Sequence, residues 1–329
     1  MLHPKTLISN VIFASPKTDF VFKRIFGDEH HKGLLIQFLN TLLELDEAHQ
    51  IISLNYLPPE QRPPVEDLKY SIVDVKCQDM TGRYYVIEMQ ILEVDAFENR
   101  VVYNANKMYI AQLESGKGYE TLCDVFAISI CDFMLWPTPP KGDSRVPMLS
   151  RWQMREKQSG EAGLSQVQYI FMELPKYSSG EQPKSLIEKW AYFFKEAPNL
   201  NAIPSFLQEE PFIEAFEVAK TSGFSLEDWA AYENSLQRDR DFGGILKKVQ
   251  KDGMAAGMAA GIAAGRAAGM VAGKAEGRTE GLRESIIYLC DVLGIIISIE
   301  QHAALEKMEP EELLILRERL KIQRQWDLA

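Results

Sequence analysis

The chain has no surplus of positive charge. Its 36 Lys+Arg against 47 Asp+Glu leave a formal net charge of −11 over 329 residues. Neither half compensates: residues 1–180 carry 18 basic and 23 acidic side chains, and residues 181–329 carry 18 and 24. Phosphate neutralisation supplies most non-specific affinity for nucleic acid, so this balance argues against such a partner unless a local basic patch or bound cations offset it. Cysteine is scarce, and Cys77, Cys123, Cys131 and Cys290 form no CxxC motif. With no apolar leader at the N-terminus they read as reduced, mostly buried thiols of a cytoplasmic protein. The five histidines, His3, His30, His31, His49 and His302, show neither HxxH nor HExxH spacing, which removes the usual zinc arrangements. Apolar residues are in ordinary supply. A content of 46% hydrophobic and 25% charged residues suits a soluble globular chain and excludes wholesale disorder.

Ser15-Pro16 ahead of an apolar run predicts a helix start, with serine as N-cap, proline at the first helical position and Gly27 as the stop. A second helix is predicted over Lys32–Leu43, followed by a proline-marked loop from Pro58 to Pro64. Strands over 69–78 and 83–92 come next, then a helix over 95–115 with Phe97, Val101, Ala105 and Met108 as its buried stripe. Buried strands follow over 123–135 and 169–174. That order predicts an α/β (α+β) core with a mixed sheet. From about residue 184 the pattern turns helical around Trp190, Phe193, Phe194, Phe212, Phe216 and Trp229. The division read from these patterns is 1–180 for the core and 181–250 for a helical extension. A repeat occupies 251–284, and 285–329 forms a C-terminal helical segment broken near Gly294 and Pro310.

The repeat is a glycine at every fourth position from Gly253 to Gly281, with Ala- and Met-rich triplets between that become charged towards the end. On a helix this spacing drifts by roughly 40° per step, so the glycines trace a slow spiral, and a period above 3.6 favours a right-handed supercoil. Each glycine costs about 1 kcal/mol relative to alanine, or roughly 8 kcal/mol for eight. Close packing against a second helix, in a homo-oligomer, can offset that cost; the alternative is a flexible Gly/Ala linker. Arg266 in mid-segment and the weak apolarity of Gly and Ala argue against a membrane span.

Met80-Thr81-Gly82 predicts a three-residue hairpin loop with Gly82 as its left-handed residue. That loop pairs Asp79 with Arg83, and counting back sets Asp74 opposite Glu88 and Ile72 opposite Gln90. Glu88 and Gln90 share a face. Directly opposed residues have Cβ atoms about 4.5–5.5 Å apart. Two carboxylates so held share a proton or a cation, unless both face water on the wet side of the pair beside Lys76. Oxygen-only ligands suit Mg²⁺ or Mn²⁺, and such a cation can activate water and stabilise phosphate charge in phosphodiester cleavage. Gln90 can be neither a cation nor a general base, but its amide can orient water or bond a phosphate.

A wider, ordered set of residues carries a resemblance. It runs from Lys17-Thr18-Asp19-Phe20-Val21-Phe22-Lys23-Arg24-Ile25-Phe26-Gly27 through Asp74 to Val86-Ile87-Glu88-Met89-Gln90. Arg100, Tyr103 and Tyr109 follow, then Ile128-Ser129-Ile130-Cys131-Asp132-Phe133 and Met172-Glu173-Leu174-Pro175-Lys176. Over roughly residues 14–180 the chain resembles the Rpn family of recombination-promoting nucleases, also described as transposases of the PD-(D/E)XK superfamily, and the glycine-rich tail looks like that of many members. The resemblance implies a DNA nuclease core in which Asp74 and Glu88 hold the divalent metal. Gln90 then stands where the superfamily usually has a catalytic lysine, in keeping with the family's own ExQ pattern. Asp19 matches an acidic residue on the first helix, either a supporting ligand or the i,i+4 partner of Lys23. Arg100, Tyr103 and Lys107 share a helical stripe from which they can contact a DNA backbone, although for Lys107 a solvated helix face explains the position as well. Two functions follow: a metal-dependent DNA endonuclease of low sequence specificity, or a degenerate nuclease fold that serves as an oligomeric assembly module.

Overall fold

The computed structural model describes residues 11–61, 71–113, 116–137, 146–178, 180 and 182–326. Pro63 and Pro64 of the expected loop lie outside them. The chain divides into two compact units, Met1–Gly244 and Ile245–Ala329.

In the first unit α1 (Asp19–Phe26) and α2 (Lys32–Leu43) precede the sheet. The helix starts later than expected: Ser15 and Pro16 form a turn in which the Ser15 carbonyl accepts from the Thr18 amide and hydroxyl, and Thr18 is the N-cap. Gly27 ends α1 by donating its amide to the Lys23 carbonyl at 2.7 Å; a Cβ there would meet that oxygen at 2.8 Å, so the stop needs glycine. The strands are β1 (Leu54–Tyr56), β2 (Glu60–Gln61), β3 (Ser71–Ile72), β4 (Val75–Asp79), β5 (Tyr84–Gln90), β6 (Val125–Cys131), β7 (Leu149–Trp152) and β8 (Val167–Glu173), with α3 (Phe97–Ile110) between β5 and β6. Six of them form one sheet in the order β1-β4-β5-β6-β8-β7, mixed as expected, with β5, β6 and β8 mutually parallel. β2 and β3 pair separately.

Alternation along the strands builds two cores, one on each face of this sheet. Tyr85 and Ile87 of β5, with Phe126, Ile128 and Ile130 of β6, face the larger one. Val86, Val125, Ala127 and Cys131 face the smaller one, covered by Phe97, Val101, Ala105 and Met108 of α3. β6 is buried along its whole length, which is why its sequence is a continuous apolar run. The larger core is aromatic and joins α1 and α2 to α4 (Leu186–Glu196) and α5 (Phe212–Ala219). Phe38 lies 4.9 Å from Phe26 and 5.1 Å from Trp190, and Trp190 lies 4.9 Å from Phe212. The early part of the stretch read as an extension is therefore part of the main core.

α6 (Leu226–Leu293) begins where Ser225 and Asp228 exchange side-chain-to-backbone hydrogen bonds. It passes from the first unit into the second at Gly244–Ile245 and carries the whole glycine repeat as helix. In the second unit Leu282, Ile286 and Cys290 of α6 pack with Leu305 of α7 (Ile299–Lys307) and with Leu313, Leu316 and Leu320 of α8 (Pro310–Gln323). The expected breaks are present: Gly294 takes φ +76° just past α6, and Pro310 opens α8. From 253 to 281 every residue except Thr279 is exposed. A window of 18 residues within α6 reaches a mean hydropathy of 1.3, enough by length and composition alone for a membrane span.

Candidate active site

The hairpin behaves as the loop chemistry requires. Gly82 adopts φ +90° and donates to the Asp79 carbonyl at 3.1 Å, while the Asp79 amide donates to the Arg83 carbonyl at 3.0 Å. From there β4 and β5 pair antiparallel, Gln78 with Tyr84 through Val75 with Ile87. One step further in the same register lie Asp74 and Glu88. The expected pairing of Ile72 with Gln90 does not occur: Ile72 pairs with Glu60. The reason is a bend at Asp74. The Val73 amide turns to the Pro59 carbonyl at 3.2 Å, and the Met89 amide, left without its ladder partner, donates to Asp74 Oδ2 at 2.8 Å. The bend thus brings the Asp74 carboxylate onto the strand that carries Glu88.

Three carboxylates on this hairpin show what separates a structural acid from a reactive one. Asp79 accepts from the Thr81 amide and hydroxyl, the Arg83 amide and Nε, and the Tyr85 hydroxyl, all within 3.0 Å. Burial pushes its pKa up, but the bonds from Thr81, Tyr85 and Arg83 outweigh it and hold the carboxyl below its usual range. Glu88 is only 8% exposed. Its Oε1 accepts from Asn104 Nδ2 at 2.8 Å, whereas Oε2 has only a long contact, 3.4 Å, from Arg100 Nη2. Burial, reinforced by the charge of Asp74, pushes the Glu88 pKa up. Asp74 is raised as well, by burial first and by Asp19 second, with Lys23 Nζ no nearer than 3.9 Å to its Oδ1. Each of these two acids commits one oxygen to the protein and holds the other without a close partner. That donor set, a buried and a half-buried carboxylate on adjoining positions of the hairpin, fits a hard divalent cation such as Mg²⁺ or Mn²⁺.

The other expected residues fall into two groups. Gln90 and Arg100 belong to the site: Arg100 Nη2 donates to Gln90 Oε1 at 2.5 Å. Asp19 lies at its edge, ion-paired with Lys23 at 2.5 Å and with Arg238 at 3.4 Å. Tyr103 and Lys107 lie further along α3, with the Lys107 ammonium 5.4 Å from the Tyr103 ring centre. Lys107, expected to face solvent or phosphate, is only 6% exposed, and burial lowers its pKa. Among the described residues no three His, Cys, Asp or Glu side chains converge as a metal cluster, so the carboxylate pair stands without a third such ligand. On the flank of α1 a groove of about 810 Å³ is lined by Asp19, Asp28 and Glu29 as well as Lys23, Arg24 and Arg238.

The sequence model of the PD-(D/E)XK nuclease family transposases matches residues 16–248, well over half of the chain. The chain belongs to this family. No curated protein and no solved structure matches it. The match ends within α6, before the glycine repeat begins.

Two contributors were not legible beforehand. Asn104 lies one helical turn beyond Arg100 and fixes Glu88 from α3. Lys23 is close to Asp74 as well as to Asp19. The i,i+4 spacing identified Lys23 as a partner of Asp19, but only the packing of α1 beside the hairpin brings it to Asp74.

Proposed function

We propose that the chain is a divalent-metal-dependent DNA endonuclease of low sequence specificity that acts in the cytoplasm. The observation that carries this reading is the pair Asp74 Oδ1 and Glu88 Oε2, which meet Lys23 and Arg100 only at 3.9 and 3.4 Å, on a half-buried and a buried carboxylate whose pKa values are both raised. These two residues would hold Mg²⁺ or Mn²⁺, which when bound polarises the phosphate and makes water a better nucleophile. In the reaction a water oxygen bonds to phosphorus, one ester P–O bond breaks, and the departing oxygen gains a proton while the water loses one. The products are a phosphate monoester end and a hydroxyl end. The Met89 amide and Asn104 orient the acids for this role. Lys23, Arg24 and Arg238 line the flanking groove and could contact a phosphate backbone, but Asp19, Asp28 and Glu29 line it too, so the offset that the acidic composition calls for falls to the bound cation. Backbone contacts of that kind position a duplex without reading its bases, which suits low specificity and a role in transposition or recombination. The glycine helix would join copies into a homo-oligomer.

The deciding experiment is cleavage of supercoiled plasmid by the full chain with Mg²⁺ or Mn²⁺, beside a Glu88→Ala variant and an EDTA control. Nicking lost in both controls supports the reading. No cleavage with either metal favours the rival, a non-catalytic assembly module, for which the net charge of −11 and the uncharged Gln90 speak.

A further inference from the structure

Position 90 lacks the lysine that the superfamily carries, yet the site holds a cation at that place. Gln90 Nε2 donates to the Leu92 carbonyl at 2.7 Å, which turns Oε1 of the same amide to the guanidinium of Arg100 at 2.5 Å. The two bonds agree on the orientation of the amide, since only Nε2 can donate to a carbonyl and only Oε1 can accept from arginine. Arg100 reaches this point from α3, with its guanidinium 5.2 Å from the ring centre of Phe97. Its Nη2 has a second, longer contact with Glu88 Oε2 at 3.4 Å, and its Nε is buried with no hydrogen-bond partner. With Nη2 engaged and Nε closed off from solvent, Nη1, which has no hydrogen-bond partner among the described residues, is the donor left for a phosphate oxygen beside the metal-binding acids. Lys23, the other cation near the pair, is engaged by Asp19.

Resting on the nuclease reading, we propose that Arg100 is the phosphate-binding cation of this site, and that Gln90 is a positioning residue whose amide aims it. An ExQ strand with an arginine on the following helix then does the work of an ExK strand. An arginine side chain serves as a fixed hydrogen-bond donor and not as a base for water. Arg100 donates to a non-bridging phosphate oxygen as charge builds on it while the P–O ester bond breaks.

The test uses the full chain, supercoiled plasmid with Mn²⁺, and a calorimetric Mn²⁺ titration without DNA. Arg100→Gln should lower kcat about 100-fold, the usual range for losing a transition-state donor. Its Mn²⁺ affinity should hold or tighten several-fold, because a cation beside Glu88 has been removed. Adding Gln90→Lys to Arg100→Gln should recover a large part of the lost rate. Gln90→Leu, with Arg100 intact, should lower kcat with little change in Mn²⁺ affinity. Arg100→Lys keeps the charge without the guanidinium that Gln90 aims, should fall between wild type and Arg100→Gln, and serves if the glutamine variant does not fold. Wild-type kcat in Arg100→Gln would overturn the proposal. So would a loss of Mn²⁺ binding, which would make Arg100 a support for Glu88 alone. A wild-type chain that cuts nothing would end the nuclease reading, and the titration would then decide the arginine: tighter Mn²⁺ binding in Arg100→Gln upholds a cation aimed at the metal-binding pair, and weaker binding overturns it.

Discussion

The hairpin of β4 and β5 and the glycine stretch of α6 manage unfavourable groups in opposite ways. At the hairpin the unfavourable groups are two neighbouring acids, Glu88 buried and Asp74 half-buried, and the fold surrounds them: Asn104, the Met89 amide and Arg100 each hold an oxygen of the pair or approach one. In the repeat the unfavourable residues are eight glycines, and among the described residues nothing packs on them: a Cβ at any glycine from Gly253 to Gly281 would meet no atom within 4 Å beyond its own stretch of helix. A site that must hold charge in place is enforced by neighbours within its own unit. A helix that pays about 1 kcal/mol per glycine and gains no contact from the same chain has its compensation outside that chain, or goes without.

The largest expected effect is at the acids. Asp74→Ala or Glu88→Ala should reduce plasmid cleavage about 1000-fold, the upper range for removing an electrostatic contact to the reacting phosphate. The thermal midpoint of the metal-free protein should stay near wild type or rise. Retained cleavage in either variant would remove the pair from the site. Next is the aromatic core that positions α1 beside the hairpin. Trp190→Ala should destabilise the first unit by about 3–5 kcal/mol, read from the remaining tryptophans in a urea titration. A cost below about 1 kcal/mol would mean that the cluster of Phe26, Phe38, Trp190 and Phe212 is not close-packed as the ring distances require.

The comparison also separates what the sequence disclosed from what it hid. Gly82 fixed the register, because a left-handed glycine at that loop leaves one pairing of Asp79 with Arg83, and everything from Gln78 to Val75 follows by counting. The aromatic helices, the mixed sheet and the break at Gly294 were legible for similar local reasons. β1 and β7 were missed because strands of three and four residues offer too little alternation to recognise. The bend at Asp74 was missed because its cause is Pro59, far along the chain, taking the Val73 amide. The burial of Lys107 was hidden too, since the stripe that places a residue on a helix does not say which neighbours overhang it. At the site the acids could be found by register, while Asn104 and Lys23 depend on how helices pack.

The glycine helix can be tested without touching the site. Replacing Gly257, Gly261, Gly265 and Gly269 by alanine adds about 4 kcal/mol of intrinsic helix stability and makes no clash within the chain. If the glycines exist so that a second copy can approach the backbone, the four methyl groups should convert the oligomer to monomer on light scattering with helicity kept or raised. An unchanged mass with higher helicity would show that the repeat is a helix that tolerates glycine, not one that uses it.

The smallest effect concerns sign, and it joins the two carboxylates to the metal. In metal-free protein Glu88 has a pKa above its unfolded value, because of burial and the nearby Asp74 charge. Its contribution to stability is therefore fully present below the unfolded value near 4.5 and is lost as pH rises through the folded value. Glu88→Gln removes that loss, so without metal the variant should melt slightly above wild type at neutral pH, and the gap should close on acidification. With Mn²⁺ at one hundred times its Kd the wild type gains about 2.7 kcal/mol by mass action, and the variant, deprived of a ligand, gains little. The order of melting should then invert. An order unchanged by Mn²⁺ would mean that these acids meet no cation, and that their raised pKa values record only burial.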